Sequence, residues 1–183
     1  MKFYMKLQDW LAGPFSQKMQ KFMQNPYMHA LQVCFTIILP MIMVGSLASL
    51  VNTFRNFAPW LPDLSLINSF SFGLISIFMA FLIPYTIMES KKLQKQKMIT
   101  GFASVSALIA LANPQYVDGN LVINSGYVGT GGMTVAMVMG LVIGWLFSAY
   151  FKHGLFKKDS SLPSVVVVWF ESILIIFVLI LVC

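Results

Sequence analysis

From Ala30 to Phe54 the chain runs for about 25 residues without a charged side chain, and a helix needs only about 20 to cross the hydrocarbon core of a bilayer. Leu64 to Met88 repeats the pattern, as does Gly131 to Phe151. A shorter block rich in small residues covers Met98 to Ala112, and the last, Leu162 to Cys183, is interrupted only by Glu171. These are unbroken apolar blocks rather than the short periodic stripes of a water-soluble core. Charged residues make up 10% of the chain and the mean hydropathy is +0.79, whereas a soluble domain carries roughly 25% charged residues. The expected class is therefore all-α: a polytopic membrane protein of about five transmembrane helices, with spans near 30–54, 64–88, 98–112, 131–151 and 162–183 and the lipid bilayer as its solvent.

The lysines give the expected orientation. Lys2, Lys6, Lys18 and Lys21 precede the first span, Lys91, Lys92, Lys95 and Lys97 separate the second from the third, and Lys152, Lys157 and Lys158 separate the fourth from the fifth. The alternate loops hold only Arg55, Asp63 and Asp118. The positive-inside rule places all three lysine clusters in the cytoplasm, with the N-terminus inside and the C-terminus outside. The net charge of +6 is then topology and attraction to anionic headgroups, with no nucleic-acid partner expected, because no basic face with interleaved aromatics occurs. A cleaved signal peptide is the competing reading of the first span, with Gly45, Ser46, Ala48 and Ser49 near a cut site. The leader before it is too long, and Pro40 breaks the apolar region.

Ahead of the first span, residues 1–27 form an amphipathic segment in two pieces. Phe3, Leu7, Trp10 and Leu11 share one helical face, Gly13-Pro14 interrupts, and Phe15, Met19, Phe22 and Met23 resume. Such a segment lies in the cytoplasmic headgroup layer or packs on its own protein. Asn25-Pro26 ends it, and Pro26 opens the next helix. Pro40 and Pro84 predict kinks in the first two spans. Between the third and fourth, Asp118-Gly119 is flanked by short β-prone runs and predicts an external β-hairpin. The glycines that follow, Gly126, Gly129, Gly131 and Gly132, match neither a dinucleotide fingerprint nor a Walker motif, and predict a flexible or tightly packed entry into the fourth span.

Within that span Gly132, Ala136, Gly140, Gly144 and Ser148 recur every four residues. In lipid, helices associate by close van der Waals approach, so this stripe is a helix-packing or dimer face, with the partner either another span or a second subunit. Chemistry has little to work with. Glu171 is the single ionisable residue deep in an expected span; it serves a pathway, a packing contact or interfacial snorkelling. His29 and His153 fall at cytoplasmic span ends. No metal spacing, triad or carboxylate pair is present, so no catalytic residue, metal site or cofactor is expected. Cys34 and Cys183 fall toward opposite ends of the membrane and do not suit a disulfide.

The order of these features resembles a known family. Asn25-Pro26-Tyr27, then Leu39-Pro40 followed by Gly45-Ser46, then Asp118-Gly119, Gly126-Tyr-Val-Gly-Thr-Gly-Gly132, Leu162-Pro163 and Phe170-Glu171-Ser172 look like the opening half of the lactose/cellobiose/diacetylchitobiose group of phosphotransferase-system enzyme IIC permeases. The family commonly has a second proline just after the position of Pro163 and another further along that span; valines and the apolar run Leu174 to Phe177 stand here instead. The resemblance implies a multi-pass protein of the bacterial inner membrane, more than twice this length, whose first five spans form the dimerisation half. The sugar-binding residues lie in the second half, and none has a matching position here. It further implies, as partners, a homodimer mate, the C-terminal permease half and enzyme IIB, which carries the phosphoryl chemistry on its own cysteine. The alternative is a truncated or repurposed membrane interaction module without transport activity.

Overall fold

The computed structural model describes residues 16–153 together with Ile173, Ile176 and Phe177. The first piece of the amphipathic segment, Glu171, Cys183 and nearly all of the fifth expected span lie outside the described residues.

Helix α1, Ser16–Met23, leaves Met19 and Phe22 exposed. The Asn25 side chain then accepts the Tyr27 N–H at 3.0 Å and Pro26 fills the first position of helix α2, Pro26–Phe54. Proline costs nothing there because that N–H has no intrahelical partner in any case. Helix α2 continues through Pro40. The loop after it is tied by an Arg55–Asp63 ion pair at 2.8 Å, by Asn52 Oδ1 accepting the Leu64 N–H, and by Asp63 Oδ1 accepting the Ser65 N–H.

The second apolar block is built differently from a plain span. Helix α3, Ser65–Ser71, passes through a 3-10 turn, Phe72–Leu74, into helix α4, Ile75–Ser90. Helix α4 runs on through Pro84, so the change of helix type falls at Gly73 instead of at the proline. Glycine and serine weaken an α-helix and favour such a change. Helix α5, Lys97–Leu111, has 15 residues, about 22 Å at 1.5 Å per residue. Strands β1, Gln115–Val117, and β2, Asn120–Val122, pair antiparallel with Tyr116 opposite Leu121. Their turn residues Asp118 and Gly119 have φ of 50° and 80°, the left-handed pair that two-residue hairpins require. A short helix α6, Ser125–Val128, capped by the Asn124 side chain, and a 3-10 turn, Thr130–Gly132, lead into helix α7, Met133–His153.

Helix α4 is the centre, packed on by α2, α5 and α7. The larger core cluster joins Ala30, Cys34 and Ile38 of α2 to Ile75, Met79, Ile83 and Ile87 of α4, Leu108 of α5 and Ala136 of α7. A second groups Met88, Ala103, Ala107, Ile143 and Phe147, with Ile176 against it. The distribution of polarity is inverted relative to a soluble protein. Ser71, Ser76, Thr86, Thr100, Ser104 and Ser148 are buried, while Leu47, Leu50, Leu66, Phe70, Phe102 and Trp145 are exposed. Much of the exposed area is apolar and contiguous along the helices, which water does not tolerate over so large a patch. Three helical segments, Pro26–Phe54, Ser65–Ser90 and Thr130–Lys152, are long and apolar enough to cross a membrane. Helix α5 falls short of that length, because residues 112–114 turn away into the hairpin. The chain is thus a mostly helical protein of membrane type with one small two-stranded sheet.

Candidate functional site

Two places bring together residues from distant parts of the chain, one at each end of the bundle. The first is the junction at the α3–α4 break. Gly45 of α2 faces it so closely that a Cβ there would lie 2.8 Å from the Phe72 ring and 2.9 Å from the Ser71 Cβ. From the other side Gly129 approaches the backbone: its Cβ would meet Phe72 O at 3.4 Å and Gly73 Cα at 3.5 Å. The buried Ser76 hydroxyl donates to Gly129 O at 2.5 Å. Gly132 turns tightly under the Tyr127 carbonyl, where no Cβ fits. A cavity of about 540 Å³ lies between the break and the glycine-rich segment, with Asn68, Ser69, Ser125 and Thr130 among its polar walls. Non-helical backbone at such a place is tolerated in a membrane protein where it is covered by protein or lines a cavity.

The small-residue stripe begins at this junction and runs to the opposite end. Gly132, Ala136, Gly140, Gly144 and Ser148 are all buried. A Cβ on Gly140 would stand 3.0 Å from Ile83 Cβ, and one on Gly144 would stand 2.6 Å from Ile87 Cδ1 and 3.3 Å from Pro84 Cα. The stripe therefore seats α7 on α4 of the same chain, where the branched side chains Ile83 and Ile87 fill the space that the glycines leave. The face is occupied by α4 of the same chain. Gly101 does the same for α5, admitting the Phe81 ring, which stacks on Tyr85 and meets Phe102 edge-on.

The second place is the lysine-rich end, where the N-termini of α2 and α5 meet the C-termini of α4 and α7. Lys91, just past α4, donates from Nζ to Tyr27 Oη at 2.6 Å and to Ser148 Oγ at 2.7 Å, and lies 4.5 Å from the Tyr27 ring centroid. Three helices are joined through this one ammonium. The Ser148 hydroxyl in turn donates to Trp145 O at 2.9 Å. Lys97 pairs with Glu89 at 2.8 Å and sits over the Tyr85 ring. His29 Nδ1 lies 3.4 Å from Ser90 Oγ. A cavity of about 490 Å³ opens here, lined by Tyr27, Lys91, Leu93, Trp145, Ser148, Ala149 and Lys152.

Of the Tyr27–Lys91–Ser148 cluster only Ser148 was among the expected site residues, and there as a member of the packing stripe. Its sequence signals are slight: Ser148 is the last member of the stripe and Lys91 the first cation after an apolar block, and nothing in their spacing links them. Cys34 is buried in the core. Glu171 lies outside the described residues. Among the described residues no group of three His, Cys, Asp or Glu side chains is placed to hold a metal ion. Compared with protein-family models, with curated proteins and with solved structures, the chain matches none.

Proposed function

We propose that this chain is the membrane scaffold of a sugar phosphotransferase system: the N-terminal dimerisation half of a disaccharide permease resembling enzyme IIC of the lactose/cellobiose/diacetylchitobiose group, without the sugar-binding half. The observation that carries the reading is a convergence. Gly45-Ser46 and Gly126–Gly132, two of the segments on which the resemblance rests, lie far apart in sequence, and glycines from both close on the Ser71–Gly73 break. A shared packing function gives those residues a reason to occur in that order. The basic end of the bundle is cytoplasmic and the β-hairpin external, since Lys21, Lys91, Lys92, Lys95, Lys97 and Lys152 fall toward one end and Arg55, Asp63 and Asp118 toward the other. In this reading α5, at about 22 Å, makes a short fourth crossing, and the fifth expected span lies outside the described residues. Because the small-residue stripe is filled by α4, a homodimer forms through another surface. The outer face of α2, where Phe35, Leu39, Met43, Leu47 and Leu50 are exposed, is the surface we assign to it.

The test is split complementation in bacterial cells lacking disaccharide uptake. The chain is produced with a separately encoded second half of a permease of that group, together with its enzyme IIB. Accumulation of phosphorylated disaccharide only when both halves are present supports the reading. Stable, membrane-inserted and dimeric chain with no uptake in any pairing moves the protein to the interaction-module alternative. Single cysteines at Lys95 and Asn120, in a background lacking Cys34 and Cys183, should label from opposite sides of the membrane.

A further inference from the structure

The cavity at the lysine-rich end has the chemistry of a phosphate site with an apolar approach. Lys91 is partly buried and its two side-chain hydrogen bonds go to neutral hydroxyls. Among the described residues no carboxylate lies within ion-pair distance of Lys91 or Lys152; the nearby Glu89 pairs with Lys97. The cavity therefore carries two cationic side chains and two hydroxyls with no fixed negative charge among its lining residues, an arrangement that favours an anion. Its position along α7 says which kind. Val138, Val142, Trp145, Ala149 and Lys152 follow one another at spacings of four and three residues, so they share one helical face. Val138, Val142 and Trp145 are exposed, and Trp145, Ala149 and Lys152 form part of the cavity wall. Along this face the surface passes from aliphatic to indole to ammonium, which is the polarity profile of a phospholipid from acyl chain to headgroup.

We propose that this cavity binds the phosphate of an anionic glycerophospholipid between Lys91 and Lys152, with the Tyr27 hydroxyl donating to it, Ser148 holding the Lys91 ammonium in place, and an acyl chain lying along Val138 and Val142. Lys91 already joins α2, α4 and α7 through Tyr27 and Ser148, so the bound lipid fastens the same three helices at the headgroup level. The inference needs only the membrane placement of the bundle and is independent of any role in sugar transport.

Trp145 provides the readout. The other tryptophans are replaced (Trp10→Phe, Trp60→Phe, Trp169→Phe), and the protein is reconstituted in phosphatidylcholine vesicles containing a small fraction of brominated phosphatidylglycerol or, in parallel, brominated phosphatidylcholine. Bromine quenches the indole when the lipid occupies the adjacent site. The anionic lipid should quench at a clearly lower mole fraction, and Lys152→Gln should weaken that preference about fivefold, the factor that corresponds to roughly 1 kcal/mol per basic residue near a lipid surface. Lys91→Gln should do the same. Lys152 makes no described hydrogen bond, so its variant keeps the test independent of folding. Lys92→Gln, an exposed lysine outside the cavity, should leave the preference unchanged. Equal quenching by the two lipids overturns the proposal, as does a loss in Lys92→Gln equal to that in Lys152→Gln, which would signify diffuse surface attraction. Displacement of brominated phosphatidylglycerol from detergent-solubilised protein by an equal concentration of inorganic phosphate would assign the site to a soluble anion and overturn the lipid assignment.

Discussion

Two glycines lie in 3-10 turns, Gly73 within the α3–α4 junction and Gly132 in the turn packed against it, and the same substitution should act on them with opposite sign. A methyl at Gly132 would collide with the Tyr127 carbonyl and come within 3.1 Å of Ser76 Oγ. The obstacle is backbone, so it gives way only if the segment 125–132 moves. That segment is held by Gly129 N–H to Ser125 O at 2.9 Å, by Gly132 N–H to Gly129 O at 3.0 Å, and by the Ser76 hydroxyl on Gly129 O. Overpacking costs about 1–3 kcal/mol, and each weakened hydrogen bond adds about 1 kcal/mol, so Gly132→Ala should destabilise by about 3 kcal/mol. A methyl at Gly73 meets nothing nearer than Ser69 Cβ at 3.9 Å. There the loss of unfolded-state freedom should stabilise by about 0.5 kcal/mol. Helical content followed through a dodecyl sulfate titration in mixed micelles would measure both. Midpoints that shift in the same direction, or that differ by less than about 1 kcal/mol, would refute the packing argument.

Three further outcomes follow from the geometry. Tyr27→Phe removes one of the two hydroxyls that accept from Lys91 Nζ and should destabilise by about 1 kcal/mol, measured in the same titration, with Ser148→Ala at least as costly because its hydroxyl makes two contacts. Gly119→Val places a branched residue at φ 80° and should destabilise the hairpin by about 1–2 kcal/mol; faster proteolysis within 115–122 would report it, while Asp118→Asn should leave the rate unchanged. The Ser65 backbone N–H, the Ser65 side chain and then the Arg55 guanidinium hold the Asp63 carboxyl below its usual 3.8. A carboxyl with a depressed folded value stabilises at pH above its unfolded value and loses that contribution as pH falls through the folded one. The Asp63 carboxyl resonance should therefore titrate below 3.8 in the folded protein, and Arg55→Gln should raise the midpoint.

How far the sequence discloses this structure varies by element. The long uncharged blocks mark α2, the Ser65–Ser90 segment and α7 directly, because lipid selects on length and charge alone. Asn25-Pro26 and Asp118-Gly119 mark a helix start and a hairpin because each depends on local backbone geometry. The α3–α4 break was not legible. Gly73 sits in an apolar run that satisfies every criterion for a continuous span, and only the approach of Gly45 and Gly129 from elsewhere shows what the break accommodates. The stripe on α7 was legible as a face, yet its partner was not, since in the sequence nothing separates the buried Ile83 and Ile87 from the isoleucines that face outward. The Tyr27–Lys91–Ser148 cluster is non-local in the same way: it exists only once three helix ends meet.

The helices that surround α4 differ greatly in length. Helix α2, with 29 residues, measures about 43 Å, and α5, with 15, about 22 Å. In a bilayer whose hydrocarbon layer is about 30 Å thick, a helix as long as α2 must lean or emerge, whereas one as short as α5 crosses only where the leaflets draw together. The exposed Tyr116, Val117, Leu121 and Val122 of the hairpin extend the apolar surface beyond the end of α5. With α5 crossing as proposed, the membrane around this protein would be pinched on the α5 flank and not on the α2 flank, and neighbouring proteins of matching profile would find a less strained fit on one side than on the opposite one.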